Sequence, residues 1–454
     1  MSTLPPAVPE PPLLQTVRWL VRPIAFMQSC RRRLGDSFTV TFLGFQTPLV
    51  MVSDPEAIRA LYGDRAHGLP PGRTLTLRPI MGAQSVLLLE GAEHLQRRRL
   101  MLPPFHGERL RAYESTMEEI TEREIATWRA DEPFALHPRM QAITLEVILR
   151  TVFGVTDPTR RAALTRLLPL LLNGTGSASV QLRVLLARRA GRPGPLAELA
   201  DVGGAIDELL FAEIAERRTD PDVGAREDIL SLLVAARFED GEVMSDQDLR
   251  DQLITLLLAG HETTATALAW TFDLLLRHPA TLARLIGELD DGGEEYLRAV
   301  TWESLRLRPV VPIAGRRLGA ELQADGVTLP PGTDVTPAIW LTHTRADLYP
   351  EPFAFRPERF LEQAPTTYGW IPFGGGVRRC LGAAFAELEM RVVLRTMLRD
   401  LELRAVDPRA ERVTRRNVTF SPRHGTRVRM RMRPRRSGQA PGAAGLRSGA
   451  TVSV

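Results

Sequence analysis

One segment restricts the fold more than any other. It runs from Asp246 to Arg277, after Ser245 as N-cap and with Asp248 in the capping-box position, and His278-Pro279 closes it. Its apolar residues recur around almost the whole circumference rather than along one stripe. A helix of about 30 residues is roughly 45 Å long at about 1.5 Å per residue. A rod of that length, apolar on most sides, needs burial through the centre of a large domain. The chain has 454 residues, enough to enclose it. No run of about 18 apolar residues occurs, so a soluble chain without a membrane span is expected.

The flanking sequence fills in the rest. Residues 37–43 and 48–52 read as two strands around a turn. Helical spacing covers 91–103, 112–130 and 139–154. Residues 160–218 hold apolar clusters separated by NGTGS and GRPGP breaks, as in two or three helices. A helix is expected over 291–307, ending before Pro309, and short strands near 312–324 and 335–340. Residues 350–370, rich in Pro and aromatics, read as an ordered meander. Helix returns at 381–400 and strands at 401–433. No repeat or linker divides the body. The expected class is mainly α with small β-sheets: one large domain over 13–433, an irregular lead over 1–12 and a disordered tail over 434–454.

Charge and cysteine count exclude several chemistries. All 58 basic residues are Arg, so a Schiff-base lysine and a P-loop lysine are absent. The formal net charge is +4, but residues 425–454 carry seven Arg and no acid, which leaves 1–424 at −3. The basicity is local. The tail alternation Arg427-Val-Arg-Met-Arg-Met-Arg433 reads as a strand with one apolar face, so no nucleic-acid partner is expected. No signal-peptide pattern opens the chain, and a cytoplasmic location is expected. The only cysteines are Cys30 and Cys380, too few for a disulfide framework or a four-cysteine metal site.

Cys380 is the informative one. Residues 373–382 read Phe-Gly-Gly-Gly-Val-Arg-Arg-Cys-Leu-Gly, a glycine-rich loop meeting a helix start. Free N–H groups there favour a thiolate. Gly374, Gly375 and Gly376 permit tight turns and close approach of the backbone to a flat ligand. A buried structural cysteine beside a turn is the plain alternative. The loop resembles the haem-binding signature of the cytochrome P-450 family, Phe-x-x-Gly-x-Arg-x-Cys-x-Gly, and Phe373, Gly376, Arg378, Cys380 and Gly382 fill every fixed position. The resemblance implies Cys380 as the axial ligand of haem iron, with the haem b cofactor (iron protoporphyrin IX) lying against Phe373 and Gly374.

Further motifs follow in the family's order. Ala259-Gly260-His261-Glu262-Thr263-Thr264, in the central segment, resembles its oxygen-binding motif. By that match Glu262 and Thr263 are the acid–alcohol pair that delivers protons, in a helix whose Gly and Thr loosen its ladder. His261 has no HExxH partner and reads as a satisfied or solvent-facing histidine. Glu303-Ser-Leu-Arg306 resembles the ExxR motif and Phe355–Phe360 the PERF box. The resemblance implies a buried network of Glu303, Arg306 and Arg359. His94 and Arg98, at i and i+4, together with Arg316 and Arg378 match regions that hold the haem propionates. Arg317, beside Arg316, leaves that one position open.

The family implies a fold enclosing haem and insertion of one oxygen atom from O2, the co-substrate, into an apolar small molecule. Glu262-Thr263 argues against relatives that lack the proton relay. Fatty-acid or terpenoid hydroxylation is favoured, with a polyketide substrate as the alternative. A haem-thiolate binding or gas-sensing protein without turnover is the rival class. The chain carries no flavin or dinucleotide motif, so electrons should come from separate partners, a ferredoxin and its NAD(P)H-dependent ferredoxin reductase. Arg97, Arg99, Arg379 and Arg391 are candidates for a basic docking patch. A monomer is expected.

Overall fold

The computed structural model of the chain describes residues 4–433, apart from 44, 46, 64–67, 70–77, 175–194 and 417. The expected tail over 434–454 lies outside the described residues. Helices α1 (Pro12–Val21) and α2 (Pro23–Leu34) lead into strands β1 (Ser37–Val40) and β2 (Leu49–Val52) and helix α3 (Pro55–Gly63). Then come α4 (Gly91–Met101), α5 (Glu108–Ala112), α6 (Glu114–Ile125), strand β3 (Phe134–Ala135), α7 (Leu136–Val147), α8 (Pro158–Gly174), α9 (Pro195–Thr219) and α10 (Ile229–Ala235). The helical body closes with α11 (Asp246–Arg277), α12 (Pro279–Asp290) and α13 (Glu295–Leu307). Strands β4 (Arg316–Arg317), β5 (Leu322–Ala324), β6 (Val327–Leu329) and β7 (Asp334–Pro337) precede α14 (Ile339–His343), α15 (Arg359–Glu362) and α16 (Ala383–Asp400). Strands β8 (Leu401–Ala405), β9 (Val413–Arg416), β10 (Thr419–Pro422) and β11 (Arg427–Met432) complete the described chain.

The central segment forms the expected helix. Ser245 accepts from the Asp248 amide while the Asp248 carboxylate accepts from the Ser245 amide, which satisfies two otherwise orphaned donors. α11 is buried along most of its length and packs most extensively on α7. Gly260 permits the close approach: a Cβ there would lie 3.2 Å from Ile148 Cδ1. The expected loosening does not break the helix, which is continuous through Thr263.

The largest sheet has strand order β1-β2-β7-β4, with β2 and β7 parallel. β1, β2 and β7 are buried at every position, so both faces are covered. The lead is irregular but not detached. Ala7 bridges Thr39, and the Val8 amide donates to the Thr39 carbonyl at 2.9 Å. β11 keeps the expected alternation as far as Arg431, with Val428 and Met430 buried and Arg429 and Arg431 exposed, but Met432 at its end is exposed. One apolar cluster joins the helical body, while two smaller ones lie around the sheet. The cysteine loop runs between α3, on the sheet side, and α16, in the helical body.

Candidate active site

Three features set the cysteine loop. The Cys380 amide donates to the Phe373 carbonyl at 2.9 Å, closing the loop on itself. Gly374 and Gly376 hold positive φ, +67° and +64°. A Cβ on Gly376 would come within 2.3 Å of the Tyr62 carbonyl, and one on Gly375 within 2.4 Å of the Tyr62 ring. Those two glycines are therefore explained by the end of α3 rather than by a ligand. Phe373 is half-buried and packs its ring on Trp370.

Cys380 has free surface although protein crowds its thiol. Burial pushes its thiol pKa up; the Gly382 amide, Arg98 and Arg379 pull it down. A metal ion at the sulfur would override that balance, since coordination deprotonates a thiol.

The predicted propionate residues do come together. Arg378, Arg98 and Arg316 all act on His94, and with burial they hold its imidazole near pKa 4. Arg316 is buried over the Tyr62 ring and gives Nη1 to the Gly315 carbonyl at 2.9 Å. Burial lowers its pKa. Arg378 donates to the Leu89 carbonyl at 2.6 Å. Among the described residues no carboxylate pairs with Arg316 or Arg98. Buried cations without counter-charge are costly. A ligand carrying carboxylates fits this donor set. The alternative, Arg317, is committed elsewhere: it binds Asp334 through two nitrogens, at 2.8 and 2.9 Å.

The middle of α11 departs from the burial around it. Ala259 is exposed and Thr263, one turn on, half-buried, so this face opens to a cleft. The Thr263 hydroxyl donates to the Ala259 carbonyl at 2.5 Å. Glu262 turns elsewhere, accepting from Gln141 Nε2 at 2.6 Å. The two side chains are not bonded to each other.

His137 Nε2 lies 3.0 Å from Thr266 Oγ1 and 3.5 Å from Glu262 Oε1. Arg416 Nη1 donates to His137 Nδ1 at 3.1 Å and stands 4.0 Å from Glu262. Because Arg can only donate, Nδ1 must accept and Nε2 carries the proton. Burial, then Arg416, keeps His137 neutral, with a pKa near 3. Burial raises the Glu262 pKa against the pull of Arg416, Gln141 and Thr266.

His261 is not solvent-facing and only half satisfied: it bonds the Gln141 backbone through one side of the ring. It is buried, and its Nδ1 has no partner. It lines a pocket of about 500 Å³ shared with Gln141, Pro138 and Glu146. Two positions along a helix lie about 200° apart, so this pocket is across α11 from Thr263.

The charge network is assembled as predicted. Arg306 makes a two-nitrogen bond to Glu303, at 2.7 and 2.8 Å, and both side chains are fully buried. Arg359 Nε adds a third contact at 3.1 Å. The guanidiniums also donate to the carbonyls of His343, Pro350, Pro352 and Ala354, at 2.7 to 3.1 Å. These bonds clamp the meander onto α13.

Two further residues carry the site without any spacing to announce them. His343 has Nδ1 3.1 Å from the Arg306 carbonyl and accepts the Ile371 amide at Nε2, 2.8 Å. It joins the network to the start of the cysteine loop. Glu389, on α16, is buried, held by Thr264, with Oε1 unpartnered. Burial pushes its pKa up to about 8.

The expected docking patch is only partly at the surface. Arg97 is buried, paired with Asp248 at 2.8 Å and stacked over Phe238, so it ties α4 to α11. Arg391 pairs with Glu294 and Arg99 with Glu239, while Arg379 is exposed.

A glycine-rich cysteine loop, a group of Arg side chains around His94 and a hydroxyl-bearing central helix lie together in a mainly helical fold. Comparison with known proteins gives the family. The cytochrome P450 family model matches residues 5–424. Cytochrome P450 135B1 of Mycobacterium tuberculosis, named by family alone, is 43% identical over 438 residues, 94% of this chain and 91% of that protein. Cytochrome P450 137 of the same organism is 40% identical over 435 residues, 94% and 91% of the two chains. Among solved structures, retinoic acid-bound cyanobacterial CYP120A1 superposes with a TM-score of 0.82 at 25% identity, covering 95% of this chain and all of that one. The heme domain of cytochrome P450DA gives 0.81 at 22% identity, with 96% and 99% covered. The chain belongs to the cytochrome P450 family, haem-dependent monooxygenases that use O2. Among the described residues no helix is long and apolar enough to cross a membrane.

Proposed function

We propose that this chain holds haem b through Cys380 and inserts one oxygen atom from O2 into an apolar small molecule, a fatty acid or terpenoid. The observation that carries this reading is the convergence of Arg98, Arg316 and Arg378 on His94 beside the cysteine loop, where among the described residues neither Arg98 nor Arg316 is ion-paired to a carboxylate. These four groups would hold the propionates by charge-assisted hydrogen bonds when the cofactor is bound. Haem, when bound, supplies the reductive activation of O2. The terpenoid preference is supported by the relative that holds retinoic acid, an apolar isoprenoid acid.

The protein's own residues do the rest. The Gly382 amide and Arg98 stabilise negative charge on the Cys380 sulfur. Phe373 and Gly374 form the wall next to the cysteine. Thr263 presents a hydroxyl to the cleft; its bond to Ala259 is the one it exchanges when oxygen needs a donor. Glu262, held by Gln141 Nε2, takes protons from the Arg416 side and returns them toward Thr263. Electrons come from a ferredoxin and its NAD(P)H-dependent reductase, in the cytoplasm, to a monomer.

The reduced, CO-bound absorption spectrum tests the ligand assignment. A Soret band at the position typical of thiolate ligation is expected, and it should vanish in Cys380→Ala. Its persistence in that variant would overturn the assignment. For the relay, Thr263→Ala should retain the CO spectrum yet divert most consumed NAD(P)H from product to peroxide or water. Tightly coupled turnover by that variant would remove Thr263 from the role.

A further inference from the structure

The arginine-rich end of the sequence builds a cleft that the haem chemistry does not use. It lies where the C-terminal end of α11 meets the β8–β9 connection and the β10–β11 turn, and its volume is about 430 Å³. Five arginines line it, Arg277, Arg409, Arg412, Arg423 and Arg427, against three acids, Asp273, Asp407 and Glu411. The acids are already committed. Asp273 Oδ1 accepts from Arg277 Nε at 2.8 Å, and Arg277 also donates to the Asp407 and Pro408 carbonyls at 3.3 and 3.0 Å. Glu411 accepts the His424 and Thr426 amides, both at 3.0 Å, and stands 3.4 Å from His424 Nδ1. Asp407 accepts the Arg409 amide at 2.8 Å. Arg409, Arg412, Arg423 and Arg427 are exposed at the cleft and make no ion pair among the described residues.

The backbone holds these four cations around one concavity. The Arg423 amide donates to the Arg412 carbonyl at 2.9 Å, just beyond the Val413–Pro422 pair that ends the β9–β10 ladder. Between Arg423 and Arg427 the chain turns through Gly425 and Thr426, both at positive φ, +72° and +54°. That conformation is rare for a β-branched residue. Glu411 holds it through the Thr426 amide, and the Thr426 hydroxyl donates to the Ala269 carbonyl at 2.9 Å. Four like charges around a cleft repel one another and focus a positive potential into it. A guanidinium fork matches phosphate oxygens two at a time, and two such groups balance one phosphate dianion. Four unpaired arginines therefore suit two linked phosphates, and the volume suits a small molecule rather than a single ion.

We propose that this cleft is a second binding site, for a small polyanion of the diphosphate class. Arg277 lies about 21 Å along α11 from Thr263 at about 1.5 Å per residue, so the ligand is not the oxidised substrate. The probe is inorganic pyrophosphate, titrated calorimetrically into the haem-loaded enzyme at constant ionic strength. One equivalent should bind, more tightly than sulfate, and raise the melting temperature. Adenosine diphosphate binding tighter than pyrophosphate would make the ligand a nucleotide; equal affinity would leave the diphosphate as the recognised group. Arg412→Gln/Arg423→Gln should weaken pyrophosphate binding at least about tenfold. Arg22→Gln/Arg32→Gln removes two exposed arginines elsewhere, neither of them ion-paired among the described residues, and should bind as the wild type does. That comparison separates a site from net charge. Unchanged CO spectra, and unchanged melting curves without pyrophosphate, establish that the variants are folded. Arg409→Gln, on an exposed connection, should weaken binding in the same direction and replaces the first pair if that pair does not fold. Three results would overturn the proposal: no saturable binding below about 1 mM, equal weakening in both double variants, or a single-stranded oligonucleotide that displaces pyrophosphate with an affinity growing with its length, which would make the surface a nucleic-acid contact.

Discussion

Glu389 makes a sharp case at the scale of a single residue. In the unfolded chain its carboxyl loses a proton near 4.5; in the folded protein burial delays that to about 8. Between those values the folded state holds the extra proton, so stability falls as pH rises through the window. The slope is at most about 1.4 kcal/mol per pH unit. Glu389→Gln keeps an acceptor for Thr264 and removes the titration. The variant and wild type should melt together near pH 5 and diverge by pH 8 to 9, with the variant more stable. Parallel melting curves across that range would show that Glu389 is ionised throughout. The sequence does not reveal this residue. Cys380, Glu303 and Arg306 are legible because chemistry fixes their spacing along one loop or one helix face. Glu389, His343 and His137 acquire their roles only when distant segments meet.

At the scale of elements, the Glu303 cluster decides how the meander is attached. Arg306 and Arg359 share this one carboxylate, which also accepts the Arg356 amide at 2.9 Å. Glu303→Ala leaves two buried guanidiniums without an acid. Breaking a buried pair from one side costs about 3–5 kcal/mol. Losing an exposed helix cap such as Ser245 costs only about 1 kcal/mol. Thermal melting should therefore drop far more for Glu303→Ala than for Ser245→Ala. The Glu303 variant should also lose most of its haem, read by the haem-to-protein absorbance ratio, because His343 ties the network to Ile371. A haem-replete Glu303→Ala protein would make the cluster incidental to the loop. Element boundaries were legible where periodicity runs long, as in α11 and α16. They were not in β4, β5 and β6, where two or three residues carry no measurable alternation. The pairing of Ala7 with Thr39 was equally hidden, since it is set by the fold of α1 and not by its own residues.

Across the whole molecule, apolar burial and charge are distributed unevenly around the cysteine cleft. α11 and α16 belong to the large apolar cluster, with Leu253, Phe272, Val393 and Met397 wholly buried. α4 buries only His94, Arg97 and Met101. Of these, His94 is neutral and Arg97 is paired with Asp248 on α11, while Arg98, half-buried beside them, has no ion pair among the described residues. Haem propionates would supply a counter-charge to Arg98 and an acceptor for the N–H of the neutral His94. Without them, His94 faces three guanidiniums across buried space, and α4 has little apolar contact to hold it. Hydrogen exchange of haem-free and haem-loaded protein separates the two regions. Removal of haem should speed amide exchange across residues 91–101 by at least about tenfold, a change of about 1.4 kcal/mol in local opening. Residues 246–277 and 383–400 should stay protected in their buried turns. Equal loss of protection in all three segments would mean that the cofactor holds the helical body itself, and unchanged exchange in α4 would mean that this helix needs no anion.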